Sequence, residues 1–108
     1  MAVKKYDKLI RDNIPEIIEA DGKTCICEIL LDEEYIARLN EKLLEEVHEY
    51  LESGTVEELA DIGEVMHAIL EYKKISLEEF QCIRMEKLKQ NGGFKKRLLL
   101  KEVHGKEE

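Results

Sequence analysis

Two runs of helical period, 33–52 and 56–73, are separated by nothing longer than the break Ser53-Gly54-Thr55, and that spacing constrains the fold more than any other feature of the chain. Two helices joined by so short a turn must run antiparallel. At roughly 100° per residue, Ile36, Leu39, Leu43, Leu44, Val47, Tyr50 and Leu51 share one arc of the first run. Leu59, Ile62, Val65, Met66, Ile69 and Leu70 share one arc of the second. Acids crowd the same pair of runs, with Glu45, Glu46 and Glu49 in the first and Glu58 and Asp61 in the second. A hairpin sets these two bursts opposite each other near its connected end. Carboxylates converging there repel strongly unless a cation sits among them. The pattern predicts a divalent-metal site between paired helices.

The angular placement sharpens the expectation. Glu46 falls at the border of the apolar arc, Glu49 about 60° further round, and Glu45 more toward solvent. Glu58 falls inside the arc of its helix, between the directions of Val65 and Ile69, and Asp61 just outside it. A carboxylate facing a core without a partner is costly, so such a position is not idle. A local alternative stands beside this one. Thr55 and Glu58 have the spacing of a capping box, and acids near a helix N-terminus are favoured by its dipole.

Carboxylate oxygens of this kind select Mg²⁺, with Mn²⁺ as substitute, over zinc or copper. Magnesium keeps several waters and commonly meets phosphate oxygens, so the expected chemistry is metal-assisted attack of water on phosphorus. Gly92-Gly93 lacks the Lys-Ser/Thr sequel of a phosphate-binding loop and follows a helix rather than preceding one. No Ser-His-Asp or Cys-His arrangement suggests itself.

Composition sets the outer bounds. At 108 residues the chain is expected to be one domain, 1–108, with a polar tail from about 104 to 108. Its net charge of −8 argues against duplex nucleic acid and anionic lipid as partners. A core this small, with no Trp, makes a homo-oligomer plausible. No apolar run approaches a membrane span, and MAVKKYDK lacks a secretory signal's apolar stretch, so a cytoplasmic location is expected. The odd cysteine count (Cys25, Cys27, Cys82) fits a reducing compartment. The Cys25/Cys27 pair has no second pair to complete a zinc site, and is expected to be two small buried residues.

Elsewhere, Asn13 precedes a short helix with Pro15 near its start, and Asp21-Gly22-Lys23 marks a turn. Residues 24–30 alternate and read as a strand; 94–103 reads as an extended segment able to pair with it. Asp32 is the expected N-cap of the first long helix. Ser76, followed by Glu79, opens a third to about 90, where Asn91-Gly92-Gly93 stops it. The predicted fold is mainly α: an antiparallel helical hairpin plus a third long helix, with a minor two-stranded β element.

With these residues in place, the chain resembles the MazG-like superfamily of all-α nucleoside triphosphate pyrophosphohydrolases. That group is marked by EExxE followed by ExxD, here Glu45-Glu46-Val47-His48-Glu49 and Glu58-Leu59-Ala60-Asp61. A small house-cleaning branch begins near KLVRDKIPEII and ends near RGGFEKRIFLEEV; this chain reads KLIRDNIPEII at 8–18 and NGGFKKRLLLKEV at 91–103. The similarity spans nearly the whole chain, and the motif together with both ends is far more specific than the motif alone.

The resemblance implies Mg²⁺-dependent hydrolysis of a nucleoside triphosphate, ordinary or damaged, between the α and β phosphates, giving a monophosphate and pyrophosphate. It carries the metal ligands onto Glu46, Glu49, Glu58 and Asp61, and leaves Glu45 to orient or deprotonate the water. Lys8 and Arg11, and then Lys87, are the cations expected to meet the triphosphate. Lys8 and Arg11 are also placed for ordinary ion pairs with Asp7 or Asp12. The family assembles as dimers or higher oligomers, so a dimer or tetramer is expected. Two departures stand out: only eight residues separate Glu49 from Glu58, fewer than usual, and Asn91 replaces the branch's arginine before GGF. The competing expectations are hydrolysis of phosphoribosyl-ATP, or a noncatalytic helical module that binds nucleotides or partners.

Overall fold

A computed structural model describes residues 2–106, which form four helices: α1 (Ile14–Ala20), α2 (Asp32–Ser53), α3 (Val56–Tyr72) and α4 (Leu77–Asn91). The chain divides into two compact units, Met1–Ile75 and Ser76–Glu108.

The first unit is built on the α2–α3 hairpin, whose turn is decided by Gly54. Its backbone is left-handed (φ 67°, ψ 17°) and its N–H donates to the Tyr50 carbonyl at 2.7 Å, closing the last turn of α2. Only glycine takes that conformation without a Cβ penalty. The expected Thr55–Glu58 capping box does not form. Thr55 makes no side-chain cap bond; its N–H donates to Ser53 Oγ at 3.3 Å, and the two hydroxyls lie 3.2 Å apart. Glu58 therefore has no capping duty. The helix expected to be capped by Asp32 starts at that residue, with Leu31 before it, a one-residue difference of the kind helix ends commonly show.

The hairpin's apolar arcs meet around Leu39 and Val65, the apolar side chains that are buried among the described residues. Away from the turn, Tyr35 and Tyr72 pack edge to face with ring centroids 6.1 Å apart. The segment before α1 crosses both helices. Arg38 of α2 donates to the Asp7 carbonyl at 3.0 Å and to its carboxylate at 3.3 Å, which holds Asp7 at φ 99°. Lys8 then reaches α2 and Arg11 reaches α3.

In the second unit the Ser76 hydroxyl accepts from the Glu79 N–H at 3.1 Å, so this predicted cap forms and starts α4. The helix ends at Asn91, one residue past the predicted stop.

The expected two-stranded β element is absent among the described residues: neither 24–30 nor 94–103 pairs into a ladder. Two features account for this. Arg97 adopts φ 60° and its N–H closes a turn onto the Phe94 carbonyl at 3.1 Å, which interrupts the alternation needed for a strand. An isolated two-stranded ribbon also has little intrinsic stability, and Ile26 and Ile29 find no surface to cover and stand fully exposed. The expectation that Cys25 and Cys27 are both buried fails likewise, since Cys27 is exposed and Cys25 only half-buried.

Candidate metal centre

The hairpin brings carboxylates from α2 and α3 together. One oxygen from each of Glu46, Glu58 and Asp61 lies within 4.8 Å of the others. Glu46 is 6% exposed, and Glu58 is half-buried. One oxygen of each, Oε2, is sealed from solvent without a hydrogen-bond partner. Unpartnered buried acceptors are rare in folded proteins because each one costs its full desolvation energy.

Glu49 adjoins the same cluster. The Glu46 carboxyl is pushed above its ordinary range first by burial, then by its hydrogen bond with and the charge of Glu49, and by Asp61; Lys42 opposes the rise. The Glu58 carboxyl is also pushed up, by desolvation first and then by the charges of Asp61 and Glu46, while a hydrogen bond from Glu49 pulls the other way. Burial and the neighbouring acids thus disfavour the ionised forms of Glu46 and Glu58.

Three cations border the acids. Lys42 Nζ lies 3.5 Å from Glu46 and 3.6 Å from Glu45. Lys8 reaches Glu45 at 3.3 Å, and Arg11 donates to Asp61 at 2.7 Å. Lys8 and Arg11 therefore neither stand free nor pair with Asp7 or Asp12; they bind the acids of the hairpin. Glu45 sits at the edge of the cluster, held between Lys8 and Lys42. Lys87 lies on α4 in the second unit and is exposed. Of the histidines, His48 is exposed and His67 lies 3.5 Å from Glu71.

Sequence reasoning missed two residues here. Lys42 stands three and four positions before Glu45 and Glu46, and Arg38 four after Glu34 and three before Glu41; these are the helix spacings that pair opposite charges.

The donor set suits a hard divalent cation. It offers only carboxylate oxygens, close enough to share an ion, and Glu46 and Glu58 each carry an oxygen with no hydrogen-bond partner. Mg²⁺ or Mn²⁺ fits such a set better than zinc, for which sulfur or imidazole would be expected.

No protein-family model matches the chain, and no solved structure matches it. Over 60 residues it is 42% identical to an uncharacterized protein of Mycolicibacterium smegmatis (strain ATCC 700084 / mc(2)155). The match covers 56% of this chain and 61% of that relative, so the chain spans less than two thirds of the relative's length.

Proposed function

We propose that this protein belongs to the MazG-like superfamily and hydrolyses a nucleoside triphosphate between its α and β phosphates, releasing a monophosphate and pyrophosphate. The observation that carries the reading is the convergence of Glu46, Glu58 and Asp61 within 4.8 Å, with a buried, unpartnered oxygen on each of the two glutamates. A purely structural cluster would be expected to pair those oxygens with donors.

Glu46, Glu49, Glu58 and Asp61 would hold Mg²⁺, with Mn²⁺ as substitute. When bound, the ion screens phosphate charge and lowers the pKa of a coordinated water. The chain's own residues supply the rest. Glu45, at the edge of the cluster, accepts a proton from the attacking water. Arg11 is pinned on Asp61, an acid that a divalent cation would neutralise instead, which frees Arg11 to meet phosphate oxygens, and Lys8 stands beside Glu45 at the edge of the cluster. Lys42 partly offsets the burial of Glu46 and so favours its ionised form for coordination. A homo-oligomeric state and a cytoplasmic location go with this proposal.

The test is a panel of ribo- and deoxynucleoside triphosphates with Mg²⁺, products being followed by phosphorus NMR. Monophosphate with pyrophosphate is expected. Diphosphate with orthophosphate, or no turnover at any Mg²⁺ or Mn²⁺ concentration, overturns the reading. Including phosphoribosyl-ATP in the panel separates a general house-cleaning enzyme from one dedicated to that substrate.

A further inference from the structure

Arg38 lies on α2 seven residues before Glu45, two helical turns and about 10 Å along the axis. Its side chain is 25% exposed and stands between Glu34 and Glu41, at 3.9 and 3.3 Å, which fixes the aim of the guanidinium. From there it donates to the Asp7 carbonyl at 3.0 Å and to both oxygens of the Asp7 carboxylate at 3.3 Å. An ordinary surface ion pair grips side chain alone; this one grips backbone as well. The residue it grips has φ 99°, outside the left-handed well that aspartate tolerates. Such a conformation persists where the surroundings enforce it, and strain of this kind gathers at working sites.

Asp7 is also where the chain sets out across the hairpin. Lys8, next in sequence, reaches Glu45 at 3.3 Å, and Arg11 donates to Asp61 at 2.7 Å. The Ile14 N–H then donates to the Arg11 carbonyl at 3.1 Å, which ties the far end of the segment to the start of α1. Residues 8–11 are thus a short strap fastened at both ends. Four residues span at most about 14 Å, so the place of Asp7 decides where Arg11 falls.

We propose that Arg38 is a positioning residue for the acid cluster: by fastening Asp7 it sets Arg11 on Asp61, where the guanidinium holds the place of a divalent cation. Arg38 itself touches neither ion nor substrate. Its influence on a cation rests on the metal site of the pyrophosphohydrolase reading; the fastening of the strap does not. Freeing Asp7 lowers the effective concentration of Arg11 at Asp61, so an entering ion meets a weaker competitor.

Mn²⁺ affinity, measured by electron paramagnetic resonance without nucleotide, is compared for the wild type, Arg38→Gln, Arg11→Gln and the double variant. Each single substitution is expected to tighten Mn²⁺ roughly two- to fivefold, the range that an exposed ion pair covers. Loss of charge at position 38 acts on the ion whether or not Arg11 is present, whereas positioning acts only through Arg11. In the Arg11→Gln background, Arg38→Gln is therefore expected to change the affinity by less than about 1.5-fold. Factors that multiply in the double variant, or wild-type affinity in Arg38→Gln, overturn the proposal.

Trypsin gives a second readout that needs no metal. Cleavage after Arg11 requires its side chain to leave Asp61 for the protease. In EDTA, Arg38→Gln is expected to speed that cut roughly two- to fivefold, while the cut after exposed Lys73, beyond α3, keeps its rate. Asp7→Ala breaks the same link without touching α2 and is expected to act likewise, which covers a folding defect in the Arg38 variant. An unchanged cut after Arg11 in both variants overturns the proposal. Wild-type protein that takes up no Mn²⁺ removes the metal site, and the trypsin rates then decide the fastening alone. Coupled Mn²⁺ affinities with no α–β cleavage of any triphosphate keep the positioning role and remove the reaction.

Discussion

Replacing Lys42 by methionine keeps the length of the side chain and its apolar stem but removes the cation that pairs with Glu46 at 3.5 Å. Lys42 is 17% exposed at its side chain and Glu46 is 8% exposed at its own, so the pair is poorly screened by water, yet its 3.5 Å separation is looser than an ideal ion pair. Breaking a fully buried pair costs about 3–5 kcal/mol, and exposed pairs contribute about 0–1 kcal/mol. For this half-buried geometry a loss of roughly 1–2 kcal/mol is expected. In a unit of this size that lowers Tm by roughly 4–16 °C. The informative comparison is with metal. A bound divalent cation takes over the neutralisation of Glu46, so saturating Mg²⁺ or Mn²⁺ should remove most of the deficit. Thermal melts followed by circular dichroism, with EDTA and then with Mn²⁺, measure both terms. An unchanged Tm in EDTA, or an equal deficit with and without metal, would refute the reasoning.

Other predictions come from the same geometry. Glu46 and Glu58 have raised pKa values, so in the window above the ordinary carboxylate value the native state binds more protons than the unfolded state. Metal-free stability should therefore rise as pH falls from neutrality through that window, and be lost again as pH rises; Glu46→Gln with Glu58→Gln should flatten the slope in a melt series. Metal binding should release protons, which calorimetry in buffers of different ionisation enthalpy detects. Gly54→Ala places a Cβ at φ 67° with no neighbour within 4 Å, so backbone conformation alone opposes it, and a loss of about 1–2 kcal/mol is expected in urea unfolding. Arg11→Gln should tighten Mn²⁺ binding in the absence of nucleotide, because Asp61 loses its competing partner, and weaken binding of the nucleotide itself.

The helical hairpin was legible because its information is local: a 3.6 period on either side of Ser53-Gly54-Thr55 leaves little freedom in how the runs pair. The same periodicity put Glu46 at the edge of the apolar arc and Glu58 within it, and those are the two acids with sealed oxygens. The capping box misled, because Ser53 Oγ competes for the Thr55 N–H and sequence spacing does not rank two local acceptors. The β element failed for a different reason. Alternation in 24–30 describes what a strand would look like, but pairing depends on a distant partner, and Phe94–Arg97 folds into a turn instead. Lys8 and Arg11 were singled out as candidate phosphate contacts, and their engagement with Glu45 and Asp61, 37 and 50 residues away, required the three-dimensional path of the N-terminal segment.

Mn²⁺ binding followed by electron paramagnetic resonance tests most directly whether the two helices share an ion. The wild-type protein should take up Mn²⁺ competitively with Mg²⁺. Glu46→Gln and Glu58→Gln should each abolish that uptake, because they remove a ligand from different helices, while Glu33→Gln on the exposed first turn of α2 leaves it intact. Uptake that survives both substitutions, or that never occurs in the wild type, would contradict a metal held between α2 and α3.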